Sequence, residues 1–159
     1  MESNDVFNYL EQKASQHILI NHNPENDNKA FYVIEDSYDL DELDQALRNF
    51  ASFPAMLTES YSGRLEDNES ANYTDSLSII FMIVDKRADD ERVRDVRDRC
   101  LRIGKDILIK IRKDRNSFLI SPNKYVDFNI NSNYSPIGPM LNSYYGYQFG
   151  IEIIIPTSF

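Results

Sequence analysis

The chain carries two histidines, His17 and His22, five residues apart, and one cysteine, Cys100. A zinc protease needs two imidazoles one helical turn apart, as in H-E-x-x-H, and a five-residue spacing across a helix and its exit loop does not supply that. Both read instead as surface or half-buried histidines. Cys100 falls inside an apolar helical stripe, where a thiol acts as a small hydrophobe rather than a nucleophile. Two carboxylate clusters, Asp39, Asp41, Glu42 and Asp44, then Asp89, Asp90 and Glu91, have the oxygen chemistry to hold Mg²⁺. Both also sit where helices are expected to start, and the helix dipole stabilises negative charge there, which is the plainer account of them. The five glycines are scattered and form neither a phosphate-cradling loop nor a nucleophile elbow. No catalytic residue, metal ligand or cofactor is named by these residues.

The elements that would have to position a site are short. Val6, Phe7, Leu10, Ala14 and Ile18 recur at helical spacing, which predicts an amphipathic first helix over about 5–20 within an N-terminal segment 1–22. Phe31 to Ile34 is strand-like in length and composition. In DSYDLDELDQALRNF, Asp39 reads as an N-cap with Glu42 three residues on. Leu40, Leu43, Leu47 and Phe50 then make the buried stripe of a second helix that Pro54 bounds. PAMLTESYSG and YTDSLSIIFMIVDK read as strands paired in a hairpin, the second apolar enough to be covered on both faces. Their connection, residues 63–73, is polar and acidic, and is expected to protrude as a mobile loop.

Residues 88–115 make the longest helix, with Val93, Val96, Cys100, Ile103, Ile107 and Ile111 at intervals of three and four and Ile109 pointing outward. YVDFNIN alternates as a half-buried strand, SPIGP breaks the chain, and SYYGYQFGIEIIIP returns as its antiparallel partner. In that last strand Tyr145, Tyr147, Phe149, Ile151, Ile153 and Ile155 share one face and read as core beneath the long helix. Tyr144, Gly146, Gln148 and Gly150 share the other. Two glycines weaken a strand there unless another segment approaches it or the strand bends.

At 159 residues and 42% hydrophobic content the chain reads as one domain, 1–159. Its longest apolar run, Ile79 to Val84, cannot span a bilayer, and MESNDVFNYL is no signal sequence, so a cytoplasmic chain is expected. One cysteine excludes an intrachain disulfide framework. The net charge of −9 repels nucleic acid and anionic membrane alike. Residues 85–115 nevertheless hold 12 of the 17 basic residues against 8 acidic ones, leaving −13 on the remainder. The two signs are mixed along that helix, as on a solvated face, and not segregated as a nucleic-acid surface requires.

The order of elements gives an α+β class, a largely antiparallel sheet with the long amphipathic helix and the shorter helices packed on one face. That order, with FPAMLTESYSGRLEDNESANYTDSLSIIFMIVDK, the helix after it and the terminal GYQFGIEIIIP, resembles the tail terminator and tail completion proteins of tailed bacteriophages. The likeness covers roughly residues 31–159. The resemblance implies a non-enzymatic virion protein, assembled in the host cytoplasm, that forms a homo-oligomeric ring, sixfold or higher, at the head–tail junction. Its partners would be the tail tube and the connector or portal side, with DNA only as passing cargo and no membrane. By position, Arg64, Leu65, Glu66, Asp67 and Tyr73 would match a contact loop. In a ring, Tyr144, Gly146, Gln148 and Gly150 would frame the approach of a neighbouring subunit. The first helix departs from the family pattern. Two other readings stay open: a small monomeric adaptor or regulatory module, docking through Ile109, Arg112 and Lys113, and a metal enzyme using Asp89 and Asp90.

Overall fold

In the computed structural model, residues 3–35, 40–49, 52–67, 69, 72–115, 126–129, 131–141 and 143–158 are described. Their order is α1 (Ser3–Gln16), β1 (Phe31–Ile34), α2 (Leu40–Asn49), β2 (Ala55–Glu59), β3 (Ser62–Asp67), β4 (Asn72–Lys86), α3 (Val93–Lys113), β5 (Asp127–Asn129), β6 (Tyr134–Met140) and β7 (Tyr144–Ser158). β4 and β7 pair antiparallel along their whole length, from Asn72 opposite Ser158 to Lys86 opposite Tyr144. They are the spine of a mixed, mostly antiparallel sheet of order β1-β2-β4-β7-β5, with β3 beside β4 and β6 beside β7. Among the described residues only β1 and β2 are parallel, joined through α2 as a parallel pair requires.

Register assigns the faces, because directly opposed residues point the same way. Ile79, Phe81 and Ile83 of β4 stand opposite Ile151, Phe149 and Tyr147 of β7, and α3 covers this face with Val96, Cys100, Ile103, Ile107 and Ile111, all buried. Phe149 stacks on Phe81, with ring centroids 5.1 Å apart. Above it α3 offers Gly104, where a Cβ would lie 2.0 Å from Phe149 Cζ, so only glycine lets the helix sit this close. Burying each large aliphatic of the stripe is worth about 1.5–3 kcal/mol as an upper value. Surface ion pairs contribute about 0.2–1 kcal/mol, so packing decides where α3 lies.

α1 lies beside α3 on the same face. Tyr9 stacks on Phe128 of β5 and donates to Asp114 Oδ2 at 2.5 Å, while Lys13, itself buried, forms an ion pair with Asp114. Taking a lysine out of water is costly unless it is paired, and this pair secures α1 to the end of α3. At the other end of α3, Arg99 joins Asp85 of β4, at 2.7 Å, to Glu91.

Several expectations are corrected. The helices do not share one face: Ile34, Leu57 and Val84 are buried on the opposite face, where α2 lies with Leu47 buried, and Phe53 contacts Tyr144 there at 5.0 Å. α1 ends at Gln16, which leaves Ile18 89% exposed instead of in the core stripe. Residues 63–67 are strand β3, not loop, held by backbone pairing from Ser62 opposite Ser78 to Asp67 opposite Tyr73. SPIGP does not break the chain but lies in β6, an edge strand with a register shift between Ile137 and Met140, the setting in which a sheet tolerates proline. Asp89, Asp90 and Glu91 precede α3 instead of forming its first turn, where Asp95 stands. Asp39 and Phe50 lie outside the described residues.

The glycine contacts set an experiment. Gly104→Ala should lower the urea midpoint, because the forced repacking of Phe149 costs about 1–3 kcal/mol and exceeds the gain in helix propensity, about 1 kcal/mol. Gly150→Ala should leave the midpoint unchanged or raise it, since nothing lies within 4 Å of a Cβ there. Equal midpoints for the two variants would refute the close seating of α3.

Candidate functional site

Three surfaces gather the residues that the sequence singles out. The first is the end of the sheet formed by β3, β4 and β7. All six residues of β3 are exposed, and among the described residues no strand pairs its outer edge. Register puts Leu65 opposite Asp75 and Asp67 opposite Tyr73, so these four share the helix-side face of this end. Arg64 and Glu66 share the other face and pair at 3.2 Å. Among the described residues that second face is open in part: Ser78 and Ile80 are exposed, and opposite Ile80 stands Gly150, with open space where a Cβ would be. Arg64, Leu65, Glu66, Asp67 and Tyr73 thus lie at one end of the sheet, split by parity between its two faces.

The second surface is a groove of about 400 Å³ between the turn after α1 and the outer side of α3. Ile18, Leu19 and Ile109 form its apolar part, and Lys110 and Lys113 border it, with Asp106 turned toward His17 at 3.5 Å. Ile18, Leu19 and Ile109 are 89%, 56% and 55% exposed, so among the described residues this is an open apolar patch. The turn presents them in a defined geometry. Asn21 N–H donates to the His17 carbonyl at 2.7 Å, His22 N–H to the Ala14 carbonyl at 3.3 Å, and Leu19 N–H to His17 Nδ1 at 3.2 Å. Ile18 fits the stripe of a longer first helix and so escapes a periodicity reading, while Leu19 falls off that stripe; the adjacent apolar pair in HILI, which one stripe cannot bury, is the signal that could have found them.

The third surface is a polar cleft of about 430 Å³ at the end of the sheet, where Arg112 and Arg115 meet Asp127, Asn129, Asn131 and Ile154. Arg112 therefore does not share a site with Ile109 and Lys113. Arg115 is held by Asp127. Tyr144, Gly146, Gln148 and Gly150 do not make one surface either. A Cβ on Gly146 would lie 1.9 Å from the Ile83 carbonyl oxygen, so what comes close to Gly146 is its own partner strand, and Tyr144 packs on Phe53. Gln148 and Gly150 remain half-buried on the partly open face.

Both histidines are buried, a correction to the expected surface or half-buried placement. His22 Nδ1 accepts from Ala30 N–H at 3.0 Å, which leaves the proton on Nε2 to bond Glu11 at 2.9 Å. Cys100 is buried against the Tyr145 carbonyl, and burial pushes its thiol up to about 12. Among the described residues no group of three or more His, Cys, Asp or Glu is placed to hold a metal ion, and no helix is long and apolar enough to cross a membrane. No protein-family model matches the chain, and no curated protein matches it.

Burial lowers the His17 pKa from the usual 6.5, against an opposing hydrogen bond to Asp106 and with help from the Lys110 charge. As pH falls below 6.5 the unfolded chain takes up this proton first, so stability declines until the folded ring's own lower pKa is reached, then levels off. Urea unfolding at pH 7.5, 6 and 5 should therefore show a steeper loss in the wild type than in His17→Gln. Equal losses would mean that His17 does not carry this dependence.

Proposed function

We propose that the chain is a non-catalytic structural subunit that assembles with copies of itself into a ring, sixfold or higher, at the head–tail junction of a tailed bacteriophage. The open sheet end carries the reading. β3 pairs β4 on one side, and among the described residues no strand pairs its other edge, so its backbone groups are open to a strand of another chain, which an assembled state would supply. The likeness of the element order to tail terminator and tail completion proteins supplies the kind of assembly. The net charge of −9 suits a channel through which DNA passes without being gripped, since retention would need clustered cations on the phosphates. In this reading the subunit meets the tail tube on one side and the connector on the other.

Light scattering on the purified full chain, from micromolar concentration upward, followed by negative-stain imaging, should give a discrete closed species of six or more copies. A strict monomer over that range would overturn the ring and favour a small adaptor that docks singly on its partner.

A further inference from the structure

The groove and the sheet end have opposite charge and matching apolar content. On the helix-side face of the sheet end, Leu65, 55% exposed, stands opposite Asp75, with Asp67 opposite Tyr73 on the same face. The groove offers Ile18, Leu19 and Ile109 bordered by Lys110 and Lys113, neither of which has a carboxylate partner among the described residues. Its carboxylate, Asp106, faces His17.

We propose that Leu65 and Tyr73 of one copy seat in the groove of the next, Leu65 against Ile18, Leu19 and Ile109, with Asp67 and Asp75 meeting Lys110 and Lys113. The occupant is a second copy of this chain, identified by charge complementarity. In a ring this contact is heterologous, made head to tail between successive copies, and it closes if the rotation closes. It rests on the ring reading and names the interface that reading needs. It also gives Ile18 and Leu19 a role: the hydrogen-bonded turn holds them outward as a preformed apolar seat and spares the contact an ordering cost.

Two charge-reversed variants test the contact in the full chain. Variant one carries Lys110→Glu and Lys113→Glu; variant two carries Asp67→Lys and Asp75→Lys. Each alone places like charges across the contact and should weaken assembly on the order of a hundredfold, read by light scattering, with circular dichroism showing a folded chain. An equimolar mixture should restore assembly, because each variant's sheet end then faces the other's groove with opposite charge. Wild-type assembly with both variants assembling equally well would overturn this contact and leave the ring reading standing. Variants that fail alone and also fail when mixed would overturn it too. A wild type that never leaves the monomer would overturn both.

Discussion

Everything on the helical side of the sheet depends on how closely α3 can approach β7, and that distance is set where Gly104 meets the ring of Phe149. With a side chain at 104 the helix would ride higher, and Ile103, Ile107 and Ile111 would lose the dispersion contacts that only close packing supplies. The same approach fixes the helix along its axis. At its start Arg99 is held to Asp85 and Glu91, and at its end Asp114 receives Tyr9 and Lys13 of α1. α1 is thus placed through α3 as well as by the sheet. The turn that follows α1 inherits its position from both, so the groove it forms with Ile109 and Lys113 is a consequence of how α3 is seated.

The opposite face is covered unevenly. α2 packs against β1, and on this face Ile34, Leu57 and Val84 are buried. Beyond it small and polar residues, with Ser62 opposite Ser78 and Arg64 opposite Ser76, alternate with apolar ones, Ile154 opposite Ser76 and Ile80 opposite Gly150. The glycine that seemed to invite a neighbour and the one that does not are separated only by three-dimensional contact. Gly146 lies under the twist of its own ladder, against Ile83, whereas Gly150 faces open space.

How much of this was legible in the sequence follows from which force forms each element. α3 and β7 are held by burial, and burial writes its period into the residues, so the stripe from Val96 to Ile111 and the core parity of β7 are both found as expected. β3 is held by backbone pairing to β4, with every side chain exposed, and leaves no apolar alternation to read. β6 is an edge strand that accommodates Pro136 and a register shift, features that punctuate a chain when seen alone. The buried state of Lys13 and of the two histidines depends on partners far away in sequence, Asp114 and Asp106 among them, which no local pattern announces.

Charge shows the same division. The local excess of cations between residues 85 and 115 suggests a basic helix, yet the count says little until each cation's surroundings are known. Arg92 pairs with Asp95 and Arg99 with Asp85 and Glu91, Arg115 is held by Asp127, and Lys105 lies over the Tyr134 ring. Part of this positive charge is engaged within the chain, and Arg94, Arg102 and Arg112 stand outside the lining of the groove. What remains beside exposed apolar side chains is the pair Lys110 and Lys113. Both lysines also stand in the last turn of α3, where the helix dipole favours positive charge, so one placement serves the helix end and borders the patch. An apolar seat with a charged border excludes partners of the wrong sign while keeping the patch from sticking indiscriminately, which is the physical basis of a specific contact.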